Sequence, residues 1–172
     1  MSVRRFEGSF VVMGVAGCGK SSLGAACASA LGMALVEGDA FHSQTSLQKM
    51  QSGVPLSDAD RTEWLAVLAR RLAESSGGTV LACSALRRAY RDQLRRASPG
   101  LRFVFLELSE SDARARVAAR LGHVFPVSLV ASQFATLESP RGEPGVLTVD
   151  ALRPLEALSA DVCAWLTGTE KE

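Results

Sequence analysis

Eight consecutive residues, Gly14-Val15-Ala16-Gly17-Cys18-Gly19-Lys20-Ser21, match the pattern G-x-x-x-x-G-K-[ST] in full. Glycines at these positions let successive backbone N–H groups turn inward and form an anion-binding nest. A helix opening at the end of such a loop adds partial positive charge at its N-terminus. The backbone of Gly14, Ala16, Gly17, Cys18 and Gly19 then cradles the phosphates of a nucleoside triphosphate, and Lys20 reaches the β- and γ-phosphates. The Ser21 hydroxyl is the expected Mg²⁺ ligand, and Ser22 is placed to add a phosphate contact. A second constellation, Gly38-Asp39-Ala40-Phe41-His42, follows a short apolar run. At the end of a strand facing the phosphate loop, Asp39 would orient an acceptor hydroxyl or take its proton, and hold Mg²⁺ through water. Gly-Asp is also ordinary turn chemistry. His42 reads either as a hydrogen-bond partner for a polar substrate or as a surface or helix-cap histidine.

What the triphosphate is used for follows partly by exclusion. A GTPase would carry a D-x-x-G switch and a guanine-reading N-K-x-D, and the chain has neither. Motor and transporter ATPases end an apolar strand in Asp or Asp-Glu, whereas the third strand here ends Ala82-Cys83-Ser84. A compact kinase of a small molecule remains, with the acceptor held by the loop after the second strand. The 172 residues suit one domain, and 47% hydrophobic with 22% charged residues is a globular composition. Nineteen Lys and Arg against eighteen Asp and Glu leave a net charge of +1, which argues against a nucleic-acid binder. Arg87, Arg88, Arg91, Arg95 and Arg96 crowd one helix, but Asp92, Glu107 and Glu110 balance them. A solvated helix face is the better reading, with Arg87 near substrate. No apolar stretch approaches the ~18 residues of a membrane span. The run 10–15 is too short for a signal-peptide core, so the expected compartment is the cytoplasm. Cysteines at 18, 27, 83 and 163 form no C-x-x-C pair and read as reduced, mostly buried thiols.

The elements that must position these residues alternate between strand and helix. Residues 9–14, 34–37, 79–84, 102–108 and 146–149 read as strands, the first as one buried on both faces. Helical spacing covers 20–31, a segment capped by Ser57 with the stripe Trp64, Leu65, Leu68 and Leu72, then 87–97, a segment capped by Ser109 and continuing through Leu121, and 127–137. Leu155, Leu158, Val162 and Trp165 mark the face of the last helix, with the end frayed from about residue 167. Residues 38–55 read as irregular, with one or two helical turns around 46–51, and 122–126 break the helical pattern. This order predicts an α/β fold with a parallel sheet covered by helices on both faces, and a ligand edge at the carboxyl ends of the strands.

Several longer segments carry a resemblance. Gly38-Asp39-x-x-His42 with Lys49-Met50-x-x-Gly53-x-Pro55-Leu56-x-Asp58-x-Asp60-Arg61-x-x-Trp64-Leu65 resembles the signature of the gluconokinase family. Cys83-Ser84-Ala85-Leu86-Arg87-Arg88-x-Tyr90-Arg91-Asp92 is similar to its third-strand segment. Arg116-x-x-x-Arg120-x-Gly122-His123-x-Phe125 and Ser132-Gln133-x-x-x-Leu137-Glu138-x-Pro140 are similar to its lid segment. The chain differs from the family pattern at Ser43, where Pro is common, Ser46 (Asn), Glu63 (Pro) and Val124 (an aromatic residue or Met).

The resemblance implies ATP-dependent phosphorylation of D-gluconate to 6-phosphogluconate on a P-loop kinase fold shared with shikimate and adenylate kinases. It implies a five-stranded parallel sheet, a single domain over 1–172, a substrate loop at about 38–61, a mobile lid at about 120–138 and, as in many members, a homodimer. Gluconate is a polyol carboxylate, so its site needs a cation and several hydrogen-bonding groups. Arg61 is the best cation candidate, because a guanidinium binds a carboxylate bidentately and its place near a helix start is slightly unfavourable for a cation. An exposed helix arginine is the alternative. Lys49 reads either as an assisting cation or as a solvated lysine, and Asp58 and Asp60 read as helix-start residues rather than ligands. Ser84, His42 and His123 join Asp39 and Arg61 as substrate-side candidates. Arg116 and Arg120, four apart on one helix face, suit a lid closing over the nucleotide, with a solubilising surface pair as the alternative. By resemblance one stacks on adenine and the other approaches the transferring phosphoryl group; Arg120, nearer the lid, takes the second role and Arg116 the first. Gln133 and Glu138 lie in matching segments without an assignable chemistry. Read without the resemblance, the residues leave open a kinase of another sugar acid or shikimate-like polyol acid, and a non-catalytic ATP-binding regulatory protein.

Overall fold

A computed structural model describes residues 5–120 and 125–169. Five strands, β1 (Phe10–Met13), β2 (Ala34–Glu37), β3 (Thr79–Ala82), β4 (Arg102–Glu107) and β5 (Val146–Asp150), form one parallel sheet in the order β2-β3-β1-β4-β5. The helices are α1 (Lys20–Leu31), α2 (Gln44–Gln51), α3 (Asp58–Glu74), α4 (Arg88–Ala97), α5 (Glu110–Ala119), α6 (Val130–Thr136) and α7 (Leu155–Thr167). Side chains of β1 alternate between two cores. Phe10 and Val12 meet Leu23, Cys27, Val104, Leu158 and Val162 on one face of the sheet. Val11 and Met13 meet Leu65, Leu68, Leu94, Phe103 and Phe105 on the other. Each of these large apolar side chains contributes roughly 1.5–3 kcal/mol on burial, so the central strand is anchored twice over. That anchorage holds the loop after β1 still. No helix among the described residues is long and apolar enough to cross a membrane.

Five details depart from the sequence pattern. Residues 38–55 are more ordered than expected: a 3₁₀ turn at Gly38–Phe41 leads into α2, which Ser43 caps by accepting the Ser46 N–H at 3.1 Å. The segment 127–137 is a 3₁₀ turn, Val127–Leu129, followed by α6, because the Leu129 N–H bonds back to the Pro126 carbonyl at 3.0 Å. α5 stops at Ala119, since Arg120 is already extended (φ −77, ψ 110). In α7 the buried stripe is Leu158, Val162 and Leu166, while Leu155 is exposed.

The largest departure is Arg91, which does not share a solvated face but is fully buried. Its guanidinium donates to the carbonyls of Ala85 (2.8 Å) and Glu138 (2.9 Å) and to both Glu143 oxygens (3.1 and 2.5 Å). Ala85 sits in the left-handed region at φ +46, and its carbonyl is among those the guanidinium satisfies. Burial pushes the Glu143 carboxyl up, but hydrogen bonds from Arg91 and Arg95 outweigh it and hold it below the usual carboxylate range. Helical periodicity scores every arginine as polar, so it could not single this one out.

Candidate active site

The loops after β1, β2 and β3 leave the same edge of the sheet, because those strands are neighbours and parallel. They surround a cavity of about 370 Å³ whose lining includes Lys20, Ser21, Asp39, His42, Arg61, Ser84 and Arg120. Seven residues singled out from the sequence are thus brought together. His123 lies outside the described residues.

The phosphate loop takes its shape from glycine. Gly14, Gly17 and Gly19 adopt φ of +146, +81 and +100. A Cβ at Gly14 would sit 2.7 Å from Cys18 Sγ and 2.9 Å from the Leu106 carbonyl, so the position admits no side chain. The Gly14 N–H donates to the Ser84 carbonyl at 3.3 Å, tying the loop to the end of the third strand segment. Lys20 Nζ donates to the carbonyls of Gly14 and Val15, both at 3.1 Å, which fixes the ammonium over the loop. Ala16, Gly17 and Gly19 line the cavity with Lys20 and Ser21. Cys18 is buried behind them, and Ser22 is exposed on the first turn of α1.

The Ser21 hydroxyl donates to Glu37 Oε2 at 2.9 Å. This carboxylate was missed in the sequence, where it reads only as the last residue of a short strand. Its signal was present: Glu37-Gly38-Asp39 places two carboxylates two residues apart at a strand end on the ligand edge. A hydroxyl and a carboxylate side by side are hard oxygen donors of the kind Mg²⁺ takes, which fits the ion expected at Ser21.

The acceptor wall is built by side-chain packing. The Trp64 indole N–H donates to the Gly38 carbonyl at 2.7 Å, and the His42 ring stacks on the indole at 4.3 Å. The His42 side chain is only 5% exposed, with Nε2 3.6 Å from Asp39 Oδ1 and Nδ1 buried without a partner among the described residues. A close approach also fixes Gly38, where a Cβ would lie 2.6 Å from the Ala82 carbonyl. Arg61 Nη1 donates to the Leu56 carbonyl at 2.8 Å, and its guanidinium lies 5.8 Å from the Tyr90 ring centre. The Tyr90 hydroxyl donates to Asp58, with Arg87 Nε 3.7 Å from the same carboxylate. That hydrogen bond, together with Arg87 and Arg61, holds the Asp58 carboxyl below its ordinary range. Lys49 pairs with Asp60 at 2.9 Å rather than reaching for a ligand, and Asp60 completes a capping box with Ser57. The Lys49 hydrogen bond, aided by the Ser57 N–H, lowers the Asp60 carboxyl to about 2.

Arg116 lies in the last turn of α5, and Arg120 is the residue that ends it. Arg120 lines the cavity. Arg116 donates to the carbonyls of Gly17 (3.2 Å), Cys18 (3.4 Å) and Ala151 (3.0 Å), clamping the phosphate loop to the turn after β5. The thiols read as inert. Cys18, Cys27 and Cys83 are buried, and burial pushes Cys27 and Cys83 up to about 12.

A phosphate cradle facing a carboxylate-bearing wall across one cavity, on this sheet order, defines a P-loop kinase. A family model described as "AAA domain" matches residues 10–140. Gluconokinase of Gluconobacter oxydans (strain 621H) is 43% identical over 142 residues, spanning 81% of this chain and 80% of that protein. Thermoresistant gluconokinase of Escherichia coli (strain K12) is 39% identical over 155 residues, spanning 88% and 89%. The crystal structure of a gluconokinase from Sinorhizobium meliloti 1021 matches with a TM-score of 0.87 at 50% identity, covering 95% of this chain and 93% of that one. The chain belongs to the gluconokinase family, within the AAA-domain group.

Proposed function

We infer that the protein transfers the γ-phosphoryl group of ATP to D-gluconate, forming 6-phospho-D-gluconate. The observation that carries this reading is one cavity joining Lys20 of the phosphate loop to Asp39 and Arg61 of the acceptor wall, in a gluconokinase-family chain. Arg61 takes the gluconate carboxylate, and His42 Nδ1 and Ser84 meet its hydroxyls. Asp39 orients the terminal hydroxyl and accepts its proton as the oxygen attacks phosphorus in line. Lys20 and Arg120 stabilise the charge on the transferring group. Ser21 and Glu37 are the residues that would hold Mg²⁺, which when bound neutralises phosphate charge. The backbone of the phosphate loop cradles the phosphates, with Ser22 beside it and Arg116 steadying the loop toward the adenine side. A single domain, a mobile lid at about 120–138 that includes His123, a homodimer and a cytoplasmic location extend this reading from the family resemblance.

Ser43 and Ser46, the departures in the substrate loop, favour no other acceptor. Ser43 caps α2, Ser46 is buried, and neither lines the cavity. The test is ADP release by the purified protein in Mg-ATP with D-gluconate, shikimate and a panel of other aldonates. Strong stimulation by gluconate is expected. A response only to another acid would overturn the acceptor assignment, and ATP binding without turnover on any acid would support a regulatory protein instead.

A further inference from the structure

The mechanism above leaves Gln133 unused, although it reaches the phosphate loop from 117 residues away. The Ala16 N–H donates to Gln133 Oε1 at 2.6 Å. An N–H can only donate, so the bond fixes which end of the carboxamide is oxygen. The opposite end, an NH₂ group with two donors, has no acceptor among the described residues. Ala16 and Gln133 line the same cavity as Lys20, Asp39 and Arg120. The backbone behind Gln133 is held on both sides. Leu129 and Val130 are buried before it. After it, the Glu138 N–H donates to the Leu86 carbonyl at 2.8 Å, and Arg91 holds the Glu138 carbonyl. A long side chain at the far end of the lid segment, lining the cavity with its acceptor end satisfied and its donor end unpaired among the described residues, is arranged for a ligand oxygen.

The bond to Ala16 takes one N–H out of the cradle but does not waste it. Accepting a hydrogen bond polarises a carboxamide and strengthens its NH₂ as a donor. We propose that Gln133 is a catalytic relay: its oxygen takes the Ala16 N–H, and its NH₂ donates to an oxygen of the γ-phosphoryl group during transfer. In that step the bond from the acceptor oxygen to phosphorus forms, and the bond from phosphorus to the β–γ bridging oxygen breaks. ADP leaves with the electron pair, Asp39 receives the hydroxyl proton, and Gln133 neither gains nor loses a proton. The proposal rests on the kinase reading above and concerns its phosphoryl side, not the acceptor.

The test compares Q133M, Q133E and the wild type in steady-state kinetics, with calorimetric binding of a non-hydrolysable ATP analogue and a thermal midpoint for each. Q133M keeps the length and removes both hydrogen-bonding ends. Its kcat is expected to fall by about 100-fold, the scale of a lost donor to developing charge. Its acceptor KM and analogue affinity should stay within about threefold, a split that damaged folding would not produce. Q133E still accepts from Ala16 but cannot donate, and sets a negative charge against the phosphoryl group; its kcat should fall at least as far. Q133M retaining kcat within about twofold would overturn the relay. Q133E retaining more than about a third of kcat would overturn its donor half and leave only a brace for the loop. Failure of gluconate to stimulate the wild type overturns the acceptor assignment instead. The variants are then compared on whichever acid responds, or on Mg-ATP hydrolysis where none does, with the same thresholds.

Discussion

The two walls of the cavity are made by different physics. The phosphate wall is backbone: three glycines at positive φ, a loop rooted in a strand buried on both faces, and clamps from Arg116 and Gln133 onto its peptide groups. The acceptor wall is side chain: a stacked His42–Trp64 pair, Lys49 on Asp60, and Tyr90 and Arg87 on Asp58, several of them at the surface. A backbone wall has one shape and admits few substitutions. A wall of paired side chains exchanges members while the sheet beneath stays fixed, which is how Ser43 can take over a helix cap without altering the cavity lining. Grip on phosphate and choice of acceptor are therefore separable, and substitutions on the two sides should produce different failures.

The largest effect is expected on the backbone side. Lys20→Met removes the only side-chain cation of the loop, and kcat should drop by about 10³-fold or more. Calorimetry should still detect gluconate binding, since Arg61 and His42 are untouched. Loss of both substrates together would mean the walls are coupled and the contrast is wrong. Next is Asp39→Asn, which keeps the shape and removes the base: a fall in kcat of about 10²–10⁴-fold with ATP affinity near wild type. Full activity in this variant would take Asp39 out of the chemistry.

The same contrast explains what could be read from the sequence. The glycine loop and the five apolar runs are local signals, so the cradle and all five strands were legible, with strand ends adjusted by a residue or two. Asp39 and His42 stood out because they directly follow a strand at the ligand edge, whereas Arg61 and Arg120 came from the family resemblance; all four line the cavity. Glu37, Gln133 and Arg91 were not assigned, for a common reason. Each acts through a partner distant in sequence, Ser21, Ala16 and Glu143 respectively, and periodicity has no term for such a bond. The end of α5 was missed because nothing in its composition marks Arg120 as extended.

Arg61 offers a finer probe of the acceptor wall. Arg61→Lys keeps the charge but loses the planar fork that matches a carboxylate. The gluconate KM should rise by about 10-fold, roughly the worth of one charge-assisted hydrogen bond. The ATP KM should not move. An unchanged gluconate KM would reduce Arg61 to a helix arginine that only bonds the Leu56 carbonyl.

The smallest expected effect concerns Asp60, which supports the acceptor wall without lining the cavity. Its carboxyl is held at about 2 by Lys49 and the Ser57 N–H, against about 3.9 for an unperturbed aspartate. A folded-state value below the unfolded one means the ionised form favours folding. The contribution is complete above about pH 4 and disappears as the pH falls through about 2. Asp60→Asn can still accept from the Ser57 N–H but has no charge for Lys49, so it isolates the ionic part. The variant should melt slightly lower than the wild type at neutral pH, and the gap in thermal midpoint should narrow between about pH 4 and pH 2 until the curves meet. Its partner Lys49 is partly exposed to solvent, so the gap should also shrink in high salt. A gap that persists unchanged at pH 2 would show that Asp60 acts by shape alone. The acceptor wall would then owe its form to packing, as the phosphate wall does, and the distinction between the two would lose its electrostatic half.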